Sequence, residues 1–238
     1  MLNDIKLTNI LFLDIETVPA YPALHDVPEN LQKLWLKKAN SLSDKETSPE
    51  EVYNKAGIYA EFGKIICISA GFFYQKNDAN KFRVKSFYGD DEKQVLVEFS
   101  KLLRNSFNSA DNYLCAHNGK EFDFPYISRR CLIHGIPLPK MLDNAGKKPW
   151  ETRHLDTMEL WKFGDYKHYT SLNLLTTIFN IPSPKDDIDG SDVWKVYWVD
   201  KDLTRIVTYC QKDVVAVAQL YLRYNGLQIM DESDIEIV

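Results

Sequence analysis

The stretch Ile10–Ala20, ILFLDIETVPA, constrains the fold more than any other part of the chain. Its apolar run lacks polar alternation, so Lys6–Asp14 reads as a strand covered on both faces, at the centre of an α/β sheet. The run nevertheless ends on two carboxylates, Asp14 and Glu16. Residues two apart on a strand share a face, so both point the same way at the strand's C-terminal end, where open α/β sheets place ligands. Two carboxylates in contact repel by about 4 kcal/mol at an effective dielectric near 20, and the pair calls for a cation or raised pKa values. A hard divalent metal ion meets that need. A solvated strand-end pair is the competing reading, and this stretch alone does not choose between them.

Around that strand the pattern runs from strands through alternation to helices. A polar stretch of about residues 20–62 holds two segments with helical spacing, VPENLQKLWLKKANS and SPEEVYNKAGIYAEF, and reads as a helical insertion after the first strand. It is either a surface decoration or an approach to the site, with Lys33, Lys37 and Lys38 as a solvated face by default. GKIICISAGFFYQ and KFRVKSFYG form a hairpin. A helix follows, with Val95, Leu96, Phe99, Leu102 and Leu103 on one face. NYLCAHN is a short strand, FDFPYISRRCLIHG a helix closed by Gly135, and TSLNLLTTIFN, DVWKVYWV and Asp202–Tyr224 are helical. The expectation is one α/β domain over residues 1–238.

The formal net charge of -5 gives no global basic field and argues against a protein that coats nucleic acid by bulk attraction. It leaves room for one that grips a chain end through few phosphates. Cys67, Cys115, Cys131 and Cys210 are scattered and read as reduced core residues. With no signal-peptide pattern and no apolar stretch of membrane-spanning length, the expected location is cytoplasmic, with no membrane partner.

Two further acids give the first pair company. Asp123, in HNGKEFDFP, opens a helix after a strand–loop junction. Asp213 lies on the last long helix beside Val214, Val215 and Val217, and Tyr209 one turn earlier shares its face. A packed helix gains no stability from a carboxylate. In order, DIET, NGKEFD and YCQKD resemble the three motifs of the DEDD superfamily of 3′-to-5′ exonucleases, in its tyrosine subclass. The chain is most similar to stand-alone bacterial proteins related to the exonuclease domain of family-B DNA polymerases, and SLNLLTTIFNIPSPKDDIDGSDV also resembles that group.

The resemblance implies a ribonuclease H-like fold with a mixed five-stranded sheet flanked by helices. It implies that Asp14, Glu16, Asp123 and Asp213 hold two divalent ions, Mg or Mn, which activate a water and stabilise the leaving 3′-oxygen. Asp14 would bridge the ions, Glu16 and Asp213 would complete the nucleophile-side ion, and Asp123 would act through water. Tyr209 would orient the attacking water, and Thr17, Asn118 and Phe122 would contact the terminal nucleotide. The implied partner is a nucleic-acid 3′-end, single-stranded DNA ahead of RNA. Asp156 resembles a family position and is equally a helix cap.

Two other readings remain. LFLDIETV departs from the nucleophile loop of haloacid-dehalogenase-type phosphatases only at Glu16, but Gly89-Asp90-Asp91 opens a helix too early to serve as the later metal pair of that fold. A silent nucleic-acid-binding module with this fold would be expected to have lost metal ligands, and none is replaced here.

Overall fold

The computed structural model describes residues 5–42, 48–77, 79–165, 169–182 and 188–238. The first strand is β1 (Ile10–Pro19), preceded by a 3-10 turn, Leu7–Asn9. The strand therefore starts later than Lys6 and runs past the carboxylates, which sit within it. The hairpin is β2 (Gly63–Lys76) and β3 (Ala79–Tyr88), followed by α2 (Glu92–Ser106), β4 (Tyr113–Ala116) and α3 (Asp123–Ile133). The insertion contributes α1 (Glu29–Ala39), and the C-terminal part α4 (Thr157–Lys162), α5 (Leu172–Ile178), α6 (Val193–Lys195) and α7 (Leu203–Tyr224). Two three-residue strands, β5 (His154–Asp156) and β6 (Ile235–Ile237), complete the set.

The strands form a mixed six-stranded sheet in the order β5-β4-β1-β2-β3-β6, one strand more than the five expected. The extra strand is β6, parallel to β3 and too short to show a periodicity. Side-chain pairs hold it: Glu236 accepts from Arg83 Nε at 2.8 Å, and Asp234 accepts from Lys81 at 2.6 Å.

Alternation along β1 divides the protein into layers. Leu11, Leu13 and Ile15 face α2 and α3, packing with Leu96, Phe99 and Ile127. Ile10 and Phe12 face α7, packing with Val214, Val217 and Tyr221. Asp14 and Glu16 continue this second series, so the strand's own period aims both carboxylates at the helix that carries Tyr209 and Asp213. Parallel pairing with β4 ends at Phe12↔Cys115, whereas pairing with β2 continues to Pro19. β1 thus emerges from between its neighbours on one side at the acidic residues.

The insertion differs from expectation in its second half. VYNKAGI forms a 3-10 turn, Tyr53–Ile58, in place of an α-helix. Gly57 lies against β1 so closely that a Cβ there would come within 3.0 Å of the Val18 backbone. The Tyr126 hydroxyl donates to the Gly57 carbonyl at 2.8 Å. Trp35, fully buried, centres a separate apolar cluster with Tyr53, Leu24 and Ala39. This cluster gives the insertion its own packing, and the Gly57 contact fixes it to the sheet.

Buried charge locks the far end of the same segment. Glu92 accepts from Ile65 N–H at 2.7 Å and from Arg130 Nε at 2.8 Å, while Arg130 Nη1 donates to the Ala60 carbonyl at 2.9 Å. His134 Nε2 lies 2.7 Å from the same carboxylate. The four cysteines are free and buried, and among the described residues no helix is long and apolar enough to cross a membrane.

Candidate active site

Where β1 leaves β4 behind, the sheet opens into a cleft of about 540 Å³. Every site residue singled out in the sequence lines it: Asp14, Glu16 and Thr17 from β1, Asn118, Phe122 and Asp123 from the β4–α3 junction, and Tyr209 and Asp213 from α7. Three distant segments therefore meet at one end of the sheet.

Asp123 reaches the cleft as the first residue of α3, and its Oδ1 accepts the Ile15 N–H at 3.1 Å. That N–H lies beyond the last β4 pairing, so the carboxylate takes an acceptor's place where the ladder has ended. The preceding loop is held from β5. Asp156 accepts from Asn118 N–H at 2.9 Å and Lys120 N–H at 3.1 Å, and it also caps α4 through Met158 N–H at 2.9 Å. The two readings of Asp156 are thus one arrangement, in which the helix cap also fixes the loop bearing Asn118. Asn118 itself adopts φ +62, and Gly119 approaches Ala116 so closely that a Cβ would meet its methyl at 2.4 Å.

Replacing Asp156 with Ala leaves these loop and cap N–H groups without their acceptor. The expected cost is about 1–2 kcal/mol in thermal or denaturant unfolding.

The electrostatics of the cluster suit a cation or protonated carboxyls. Glu16 is only 7% exposed and Asp123 only 3%. Burial, then the charges of Glu16, Asp123 and Asp213, hold Asp14 well above the usual carboxylate range. Burial and the charge of Asp213 raise Glu16 likewise. Asp123 is pushed up to about 7, by burial first and then by Asp156 and Asp213, against the hydrogen bonds that favour its charged form. Asp14 Oδ2 is buried without a hydrogen-bond partner. Oxygen donors gathered in this way suit a hard divalent ion, which would neutralise the mutual repulsion and occupy that orphaned atom.

Cys210 also lies near, its sulfur within 4.8 Å of ligand atoms of Asp14 and Glu16. Its thiol instead donates to the Asp14 carbonyl at 3.4 Å. Burial, with the neighbouring Cys67 and the two acids, raises its pKa far enough to keep the proton in place. Tyr209 is held as a neutral phenol: burial and the Asp213 charge raise it, and the two side chains hydrogen-bond. It can position a water and does not act as a base at ordinary pH.

Phe122 both lines the cleft and packs on Tyr126, with ring centroids 5.4 Å apart. His117 bridges Thr157 Oγ1 and the Thr170 carbonyl, each at 2.9 Å. The sequence reading missed Tyr169, Ser191 and the insertion's Asn54, Lys55 and Ile58, all of which line the cleft. Ser191 falls in the stretch SLNLLTTIFNIPSPKDDIDGSDV without having been singled out, and no motif marks the others; the approach of Gly57 to Val18, which brings the last three in, is a contact between remote segments.

Comparison with known proteins adds two findings. The model of a family described as predicted 3′-5′ exonucleases related to the exonuclease domain of PolB matches residues 58–235. A DNA polymerase from Pyrococcus glycovorans is 22% identical over 142 residues, covering 54% of this chain and 18% of the polymerase. The chain spans less than a fifth of that relative's length.

Proposed function

We propose that this chain, which belongs to the family of predicted 3′-5′ exonucleases related to the exonuclease domain of PolB, removes nucleotides from the 3′-end of single-stranded DNA by a two-metal mechanism. The observation that carries the reading is the convergence of Asp14, Glu16, Asp123 and Asp213 on one cleft with Tyr209. The fold is ribonuclease H-like on this reading: β5-β4-β1-β2-β3 forms the mixed five-stranded sheet, and β6 is an addition at its edge. Preference for DNA is supported by the polymerase relative.

Bound Mg or Mn ions would supply Lewis-acid stabilisation to the scissile phosphate and lower the pKa of the attacking water. The four carboxylates would hold those ions, and the rigid β1 strand would limit their reorganisation. Tyr209 would orient the water through its hydroxyl. Asn118, whose Oδ1 is buried and has no hydrogen-bond partner, would bind the terminal nucleotide. Phe122 would pack beside its base or sugar, which suits degradation without sequence readout. Thr17 would contact the 3′-terminal sugar.

Incubation of the protein with labelled single-stranded DNA, duplex DNA and matched RNA tests this reading. The expected result is stepwise mononucleotide release from the 3′-end, dependent on Mg or Mn, abolished by EDTA and fastest on single-stranded DNA. Release that is metal-independent or begins at the 5′-end, or none at all on any substrate, overturns the reading. Phosphate release from a small monoester through an aspartyl intermediate would instead assign the chain to phosphatase chemistry.

A further inference from the structure

The cleft is acidic, and its substrate on the reading above is a polyanion. Among the described residues that line it, Lys55 is the one lysine or arginine. It is exposed, and no ion pair links it to a carboxylate among the described residues. The chain's net charge of -5 provides no general attraction, so a local cation has more to do here than on a basic protein. Lys55 lies on the Tyr53–Ile58 turn, which the Gly57–Val18 approach and the Tyr126 hydrogen bond fix to the sheet. Thr17 lies beside that same Tyr126 hydroxyl, which connects the turn to the strand of the metal-holding acids.

Three residues further along, Ile58 lines the same cleft at 54% exposed. A large aliphatic side chain kept wet on a turn this firmly fixed offers an apolar surface to a sugar or base. Tyr169, 69% exposed, does so from the segment that His117 holds through Thr170. The two groups come from segments far apart in the chain.

We infer that the Tyr53–Ile58 turn is a part of the substrate site that the recognised motifs do not include: Lys55 takes a backbone phosphate upstream of the scissile one, and Ile58 packs on the terminal nucleoside. The inference rests on the exonuclease reading and assigns the insertion to substrate grip. The four acids neutralise bound ions, which leaves the upstream phosphate to be met by a side chain. A lysine suits that task because a single flexible point charge follows a backbone without reading bases.

Two substrates separate the roles. A single-stranded oligonucleotide carries upstream phosphates, whereas the p-nitrophenyl ester of thymidine 5′-monophosphate carries one nucleoside and only the scissile phosphate. For Lys55→Ala, the ratio of oligonucleotide KM to ester KM should rise about tenfold, the size of one charge-assisted contact. The salt dependence of log KM for the oligonucleotide should flatten by about 0.7. For Ile58→Ser, KM should rise about threefold on both substrates, because the terminal nucleoside is common to them. Melting temperatures should stay unchanged, since both side chains are exposed.

An unchanged KM ratio and salt slope for Lys55→Ala overturns the phosphate assignment. An unchanged KM for Ile58→Ser on both substrates overturns the nucleoside contact. If the wild-type protein hydrolyses neither substrate with Mg or Mn, the exonuclease reading itself fails; activity in the wild type with unaltered variants defeats the inference alone.

Discussion

Asp14→Asn is expected to reduce metal-dependent nucleotide release by at least about a thousandfold while making the metal-free protein more stable. The loss follows from the proposed role of Asp14 in holding the ions, where an amide oxygen would replace a carboxylate. The stabilisation follows from linkage. Asp14, Glu16 and Asp123 all have pKa values raised in the folded protein, so their favourable contribution is full below the ordinary carboxylate pKa of about 4. It is lost as pH rises through the folded values, which for Asp123 is about 7. The metal-free wild type should therefore lose stability between about pH 4 and pH 7 and beyond. Asn removes one of the repelling charges, and a gain of about 1–2 kcal/mol corresponds to a few degrees in Tm at this chain length. Mg should produce a comparable rise in the wild type and a smaller one in the variant. Differential scanning fluorimetry at pH 5 and pH 8, with and without Mg, checks the sign. A variant less stable than wild type at pH 8 without metal would contradict the charge argument. For the same reason, metal affinity and activity should increase with pH through neutrality.

The largest loss of stability is expected from Arg130→Met. Burial alone would raise the Glu92 carboxyl, but the hydrogen bonds and charge of Arg130, with the Ile65 N–H and His134, outweigh it and hold Glu92 below its ordinary value. Removing the guanidinium leaves that carboxylate buried with fewer partners and frees the Ala60 carbonyl. Breaking a buried pair in this way costs about 3–5 kcal/mol, a fall in Tm of roughly 10 °C for a chain of this size. The pH sign is opposite to that of the cleft. The Glu92 contribution is present above about pH 4.5 and is lost as pH falls through its lower folded value. The penalty of the variant should therefore shrink in acid, and urea melts at pH 7 and pH 4 would show it. The double variant Arg130→Met/Glu92→Met should recover much of the loss, which separates an orphaned charge from lost packing.

What the sequence made legible was local. The apolar run into Asp14 and Glu16 announced a buried strand because nothing interrupts it. The α2 start was readable from Asp91, whose side chain accepts Gln94 N–H at 3.2 Å, and the α3 end from Gly135 at φ +66. The meeting of Asp14, Glu16, Asp123 and Asp213 in the cleft required the motif order as well, since no single spacing brings β1 to α7. The features that escaped depend on contacts between remote segments. β6 is three residues, IEI, with no period to detect, and is held by Arg83 and Lys81 from another strand. β5 lay hidden in RHLDT, where three residues show no strand period and Asp156 read as a family position or a helix cap. The 3-10 turn that carries Lys55 and Ile58 into the cleft depends on Gly57 meeting Val18, and nothing in VYNKAGI predicts that partner.

The bond from Ile15 N–H to Asp123 has a consequence for measurement. Its acceptor is an ionisable group in the cleft, where a peptide carbonyl of a neighbouring strand would be expected. The backbone proton at position 15 is thereby a built-in gauge of the acidic cluster. Its chemical shift and exchange rate should follow the charge on Asp123, while amides of the same strand paired to β2 stay indifferent. One nitrogen in the middle of the sheet can thus report on the cleft without any label placed inside it.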